Sequence, residues 1–213
     1  MAKIIVHHLN DSRSQRILWL LEEIGEPYEI KHYKRMSPVP LAPPELKAVH
    51  PLGKSPVVTV DGKTIAESGA IVELLIERFA PDRLAPKRGT DAYVDYIHWL
   101  HFAEGSAMLP LMLKLYNSLL GEAGAPLYPR IDSEIDNHLR YMENAIKGRD
   151  FFVGGELTGA DIQLSFVSEA ANARGVLAPY PELMRHMKAM QARPAYKRGL
   201  EKGGPYAYAS KTD

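Results

Sequence analysis

Two dipeptides in this chain have residue types and positions suited to holding a ligand. Ser55-Pro56 stands where the β-branched run Val57-Val58-Thr59-Val60 begins, and Glu67-Ser68 opens the apolar pattern Ile71, Leu74, Leu75 and Phe79. Proline at that position removes a ladder donor, so it suits only the first residue of a strand or an edge. Were the bond before Pro56 cis, the backbone of Ser55 would turn outward and offer its N–H and C=O to an extended ligand, as a sheet edge accepts a further strand. At the second dipeptide, a helix N-terminus and the Ser68 hydroxyl suit a carboxylate, while Glu67 suits an ammonium group. An extended ligand ending in an α-amino acid meets both descriptions.

The elements that must position these residues follow from pattern. Lys3 to His8 reads as a strand. Ser14 or Gln15 through Ile17, Leu18, Leu20, Leu21 and Ile24 reads as a helix closed by Gly25, and Glu26 to Tyr33 as a second strand. Such a β-α-β unit implies parallel strands with a right-handed crossover. An irregular segment with a short helix is expected around Leu41–Leu46. Asp61-Gly62 between Val57–Val60 and Thr64–Ala66 is a hairpin signal, and Ser68 is a good N-cap for the helix behind it. The order β-α-β then β-β-α is thioredoxin-like.

Prolines and charges from Pro81 to Gly89 mark a linker, and the remainder reads as helix. Thr90 to Leu120 is one long pattern, expected to bend or split at Pro110, and Pro126 to Lys147 is another, ending at Gly148. Thr158-Gly159-Ala160-Asp161 is a capping box with Asp in place of the usual Glu or Gln. The expected fold class is α+β: a thioredoxin-like domain with a mixed four-stranded sheet over residues 1–82, a linker over 83–89 and an all-α domain over 90–213.

Composition narrows the function. With 213 residues, 46% of them hydrophobic, the chain can bury a substantial core. Its 26 basic and 26 acidic residues balance and form no basic block, which argues against nucleic acid or an anionic membrane as partner. It has no cysteine, which excludes a disulfide scaffold, a thiolate metal site and a cysteine nucleophile. His7 and His8 are neighbours on a strand and point to opposite faces, so they cannot share a metal. Neither a cleavable leader nor a membrane-spanning stretch is seen at the start, and a cytoplasmic protein is expected.

The run Pro51-Leu52-Gly53-Lys54-Ser55-Pro56-Val57-Val58, followed by Glu67-Ser68-x-Ala70-Ile71, resembles the glutathione-binding half of a cytosolic glutathione S-transferase. The amino end, the helical half and the late capping box match in order, so the resemblance spans essentially the whole chain. It implies that the bond before Pro56 is cis, that Ser55 pairs with the cysteinyl backbone of glutathione, and that Glu67 and Ser68 hold its γ-glutamyl end. Lys54 is implied near the glycine carboxylate, with Lys34 or Arg35 as a second cation; a solvated loop is the simpler reading of Arg35. Glu104 resembles the acidic residue that one subunit offers to the γ-glutamyl amine held by its partner, which requires a homodimer. Glutathione is then a co-substrate, and neither metal nor nucleotide is needed.

A transferase of this kind must make the glutathione thiol reactive, and a thiol with pKa near ~8.5 is mostly protonated at neutral pH. The family keeps its activating residue in the segment that here reads His7-His8-Leu9-Asn10-Asp11-Ser12-Arg13-Ser14-Gln15-Arg16. There is neither tyrosine nor cysteine in it, and the spacing of Ser12 and Arg16 is similar to the serine-type classes, within a fungal and bacterial subgroup related to the yeast Gtt proteins. The resemblance places the thiolate-stabilising hydroxyl on Ser12, with Ser14 and Asn10 as alternatives and Arg16 in a supporting or structural role. By residue type alone, serine at a strand-to-helix turn is more often an N-cap.

For the second, apolar electrophilic substrate the helical half offers Trp99, Met108, Met112 and Tyr116, with Phe102, Phe166, Tyr206 and Tyr208 as further walls. Such residues at helical spacing are more often core than pocket. Two rival functions share the same site: a glutathione-dependent peroxidase, and a non-catalytic glutathione-binding carrier or assembly protein.

Overall fold

The computed structural model describes residues 2–37 and 41–209, which form two compact units: residues up to 85 together with those from 190 on, and residues 86–189. The first unit is built on a four-stranded sheet in the order β2-β1-β3-β4. Strand β1 (Ile4–Leu9) leads through a short turn into helix α1 (Ser14–Ile24), which ends at Gly25 in the left-handed conformation. Strand β2 (Glu29–Tyr33) pairs with β1 in parallel. This strand is shorter than the Glu26–Tyr33 expected, because Pro27 has no N–H to contribute and pairing starts only at Ile5 with Glu29.

A short helix α2 (Glu45–Val49) precedes strand β3 (Val57–Val60), which runs antiparallel to β1 and turns through Asp61-Gly62 into β4 (Lys63–Ala66). Both turn residues have positive φ, 49° and 83°, as a two-residue turn matched to strand twist requires. Helix α3 (Ser68–Phe79) follows, with Glu67 rather than Ser68 in the N-cap position and no side-chain cap.

In the helical unit, Thr90 caps α4 (Asp91–Phe102) by accepting the Tyr93 N–H. The helix does not break at Pro110. It widens upstream into a π turn, Ala103–Ala107, and resumes as α5 (Met108–Ser118) with Pro110 inside its first turn. Proline lacks the N–H that would bond the Ser106 carbonyl and its ring crowds that carbonyl, and the wider turn ahead of it accommodates both. A 3₁₀ segment, Gly121–Leu127, leads to α6 (Tyr128–Ile146), and α7 (Gly159–Ala173) is buried along most of its length. The Thr158–Asp161 capping box is formed: Asp161 accepts from the Thr158 N–H and hydroxyl, each at 2.9 Å, and also from the Phe152 N–H at 2.9 Å. Helix α8 (Pro181–Ala192) starts with its Glu182 and Leu183 N–H groups on the Glu143 carboxylate.

The last helix, α9 (Pro194–Gly203), packs on α1 in the first unit. Glu22 and Glu23 of α1 receive Arg198 and Lys202 from α9 and Arg193 just ahead of it, and Trp19 meets Tyr196 edge to face. At Gly199 a Cβ would lie 2.9 Å from the Trp19 main-chain nitrogen and 3.1 Å from its Cα. Backbone cannot retreat as a side chain can, so Gly199→Ala is expected to lower stability by about 1–3 kcal/mol, read as a lowered urea midpoint.

Candidate functional site

Strand register brings the two ligand-type dipeptides to one end of the sheet. Val57 pairs with His7 on one side and with Ala66 on the other, so one further step sets Pro56 beside Glu67 and brings both near the C-terminal end of β1. Leu9, the last residue of β1, is the common anchor. Its N–H donates to Ser55 Oγ at 3.3 Å, and its carbonyl accepts from Ser12 Oγ at 2.7 Å and lies 3.2 Å from Ser14 Oγ. Ser55 Oγ in turn donates to the His7 carbonyl at 2.9 Å. That side chain faces inward, leaving recognition at Ser55 to its main chain. The Ser55–Pro56 bond is cis.

Glu67 is exposed, and Ser68 is buried at the first turn of α3. Glu67 has φ 70° and ψ 111°, a conformation costing a non-glycine residue on the order of 1–3 kcal/mol. It holds the carboxylate at the mouth of a helix N-terminus, where N–H groups and the helix dipole favour an anion beside it.

Neither serine of the β1–α1 turn caps α1 in the usual way: Arg13 is the N-cap residue and provides no side-chain bond. Ser12 Oγ instead accepts the Ser14 N–H at 3.2 Å and lies 2.8 Å from Ser14 Oγ. Ser12 keeps 6% exposure and Ser14 none, so of the two residues only Ser12 has any access to solvent. Asn10, half-buried, donates from Nδ2 to Asp11 at 2.8 Å and accepts the Arg35 N–H at 2.9 Å. Arg16 is buried, while Lys34 and Lys54 are exposed.

Arg35 is no solvated loop residue. Its guanidinium donates to the carbonyls of Asn10 and Asp11, at 3.1 and 2.9 Å, and so clamps the turn that carries Ser12. Asp11, with φ 50°, accepts the Ala207 N–H at 2.6 Å and ties the segment after α9 to the same turn. Sequence reading missed both: a lone arginine after a strand and an aspartate in a turn carry no spacing signal, and the Leu9 groups are main chain.

His8 is the buried titratable group beside this turn. Its pKa is lowered to about 4, chiefly by burial and further by His32, against smaller raising effects of the Gly203 carbonyl and Asp11. The unfolded chain titrates this residue near 6.5. Between those values the unfolded state holds the extra proton, so stability falls as pH falls through the window. At about 1.4 kcal/mol per pH unit the loss is on the order of 3 kcal/mol. Urea titrations at pH 7 and pH 4.5 should show the fall, and it should shrink in His8→Leu.

In the helical unit, Trp99, Met108 and Phe166 are core residues; Trp99 stacks on Tyr141 at 5.1 Å. Met112 is half-buried and Tyr116 exposed. An open groove of about 550 Å3 lies along Val94, Ile97, His98, His101 and Phe102 and the π-turn residues Gly105 and Ser106, and none of those five candidate wall residues lines it. Glu104 belongs to the same π turn. Among the described residues no three or more His, Asp or Glu gather as metal ligands would, and no helix is long and apolar enough to cross a membrane.

A thioredoxin-type sheet whose one end joins a cis-proline, a strained acidic N-cap and a buried hydroxyl cluster, in a chain with a separate helical unit, defines the class by its fold. Family comparison gives the particular family. Residues 1–77 match the glutathione S-transferase N-terminal domain and residues 91–194 the C-terminal domain. The chain is 35% identical to glutathione S-transferase 3 of Schizosaccharomyces pombe, over 93% of this chain and 87% of that protein. It is 33% identical to glutathione S-transferase 1 of Saccharomyces cerevisiae, over 93% and 94%. A glutathione S-transferase crystal structure from Actinobacillus pleuropneumoniae superposes with a TM-score of 0.86 at 35% identity, covering 94% of this chain and 92% of that one. The chain belongs to the glutathione S-transferase family.

Proposed function

We propose that this protein is a glutathione transferase that conjugates the thiolate of reduced glutathione to apolar electrophiles. The observation that carries the reading is the convergence on Leu9: Ser12, Ser55 and, through strand register, Glu67–Ser68 sit at one end of one sheet. Residues 1–82 hold glutathione, with Ser55 on its cysteinyl backbone, Glu67 and Ser68 on its γ-glutamyl end, and Lys54 near its glycine carboxylate. Residues 90–213, joined through 83–89, supply the electrophile pocket, with Met112 and Tyr116 as the candidate walls outside the core. Ser12 donates a hydrogen bond to the sulfur, and its position just ahead of α1 lets the helix dipole add to the effect. Serine here is a donor, not a base. Once formed, the thiolate is a strong nucleophile, and bringing the electrophile alongside is the rest of the catalysis. Family resemblance further supports a cytoplasmic homodimer with Glu104 facing the γ-glutamyl amine in the partner, acting in detoxification.

The test is the ultraviolet difference spectrum of glutathione titrated into the protein across pH, read at the thiolate band near roughly 240 nm. A saturable signal with a thiol pKa about two units below the free value, roughly 2.7 kcal/mol of preferential thiolate stabilisation, is expected. Calorimetric binding without a thiolate signal would make the protein a carrier, and no binding at all would remove the site assignment.

A further inference from the structure

The chain of hydrogen bonds behind Ser12 ends on a buried histidine for which the transferase reading has no use. His8 Nδ1 lies 2.8 Å from Ser14 Oγ, and Gly203, the last residue of α9, comes close to the ring. Ser14 Oγ also donates to the Leu9 carbonyl at 3.2 Å, so one buried hydroxyl joins His8, Leu9 and Ser12. It meets Ser12 Oγ twice, with its own Oγ at 2.8 Å and with its main-chain N–H at 3.2 Å.

We propose that His8 and Ser14 are positioning residues of the thiol site: they pin the first residue of α1, hold the Ser14 N–H on Ser12 Oγ, and leave Ser12 as the one hydroxyl of the pair whose proton can turn to a bound thiolate. This rests on the transferase reading above. Three observations support it. The N-cap residue of α1, Arg13, provides no side-chain cap, and the Ser14–His8 bond holds the side chain of the first residue of the helix. Ser14 is fully buried, out of reach of a ligand, whereas Ser12 is not. Gly203 is fitted to this region: a Cβ there would lie 2.7 Å from Gln15 Oε1, 2.8 Å from Leu18 Cδ1 and 3.4 Å from His8 Cε1, so only glycine lets the end of α9 come this close to the ring. His8 stays neutral well below physiological pH, surrounded by His32, Asp11 and the end of α9, and so does not serve as the base for the thiol.

The test measures the pKa of the bound thiol from its thiolate band, with the glutathione Kd from calorimetry alongside. Ser14→Ala and His8→Leu should each raise the thiol pKa by about one unit, roughly tenfold less thiolate at pH 6.5, with Kd changed by less than about twofold. The double variant should go no further than either single one, since both break the same bond. His8→Asn, whose Oδ1 can accept the Ser14 proton, should restore most of the shift. Ser14→Ala removes one oxygen only and carries the test should His8→Leu not fold. A thiol pKa unchanged or lowered in both single variants, while Ser12→Ala raises it, overturns this inference and leaves the transferase reading standing. A thiol pKa that even Ser12→Ala does not move overturns both.

Discussion

Ser12→Ala is expected to raise the pKa of bound glutathione by about one to two units and to lower kcat/KM about ten- to a hundredfold at pH 6.5, with Kd nearly unchanged. The magnitude follows from the bond removed: a hydrogen bond to a charged acceptor contributes about 1.5–3 kcal/mol, and each pH unit corresponds to about 1.4 kcal/mol. Binding should survive because the groups assigned to the tripeptide are elsewhere, on the Ser55 main chain and at Glu67–Ser68. The change also removes a donor to Leu9 O and an acceptor for the Ser14 N–H, so a stability loss of about 1 kcal/mol should accompany it. Stopped-flow or steady-state rates against pH, beside the spectral titration, separate the two effects. Loss of binding with an unchanged thiol pKa would make Ser12 a structural residue.

Asp161→Ala is expected to produce the largest loss of stability, about 3–5 kcal/mol in a urea titration of the full chain. This fully buried carboxylate accepts from the Phe152 N–H, the Thr158 N–H and the Thr158 hydroxyl, and its Oδ1 lies 3.3 Å from His186 Nε2. Alanine leaves those donors buried without an acceptor, at about 1–3 kcal/mol for each main-chain group, and removes the cap of α7 as well. Asn in its place keeps one acceptor oxygen and should lose about half as much. A loss below about 1 kcal/mol from Asp161→Ala would mean that water replaces the carboxylate.

Local structure was legible wherever one short stretch settles it. Gly25 ends α1 in the left-handed conformation, Asp61-Gly62 makes the hairpin turn, and Thr158-x-x-Asp161 forms its box, because each depends on a few adjacent dihedral angles and one or two side chains. Boundaries were less legible. Ser68 falls one place inside its helix, with the strained Glu67 at the cap, and the irregular turn in the long helix lies ahead of Pro110 rather than at it. Proline names the carbonyl it cannot serve but not how many residues upstream the chain will spread to accommodate it.

In the candidate site, sequence supplied the residue types and their likeness to a family, but not the bonds among them. Nothing in the spacing of Arg35 or Asp11 to Ser12 indicates that they clamp its turn, since they are joined by main-chain groups that every residue has. Trp99, Met108 and Phe166 stood as candidate walls although such residues are more often core, because helical periodicity marks an apolar face without saying what covers it; the structure buries all three.

By itself the sequence determined the β-α-β then β-β-α order of the first domain, the hairpin, the capping box and the family, all consequences of local propensity and of motifs contiguous in the chain. Only the tertiary structure decided that α9, the last helix, lies on α1, that Leu9 gathers Ser12 and Ser55 on its two main-chain groups, and that Ser14 Oγ meets His8 Nδ1. Those facts join residues as far apart as Leu9 and Ser55 through single hydrogen bonds. Contacts between distant segments are fixed by packing, which no local pattern encodes.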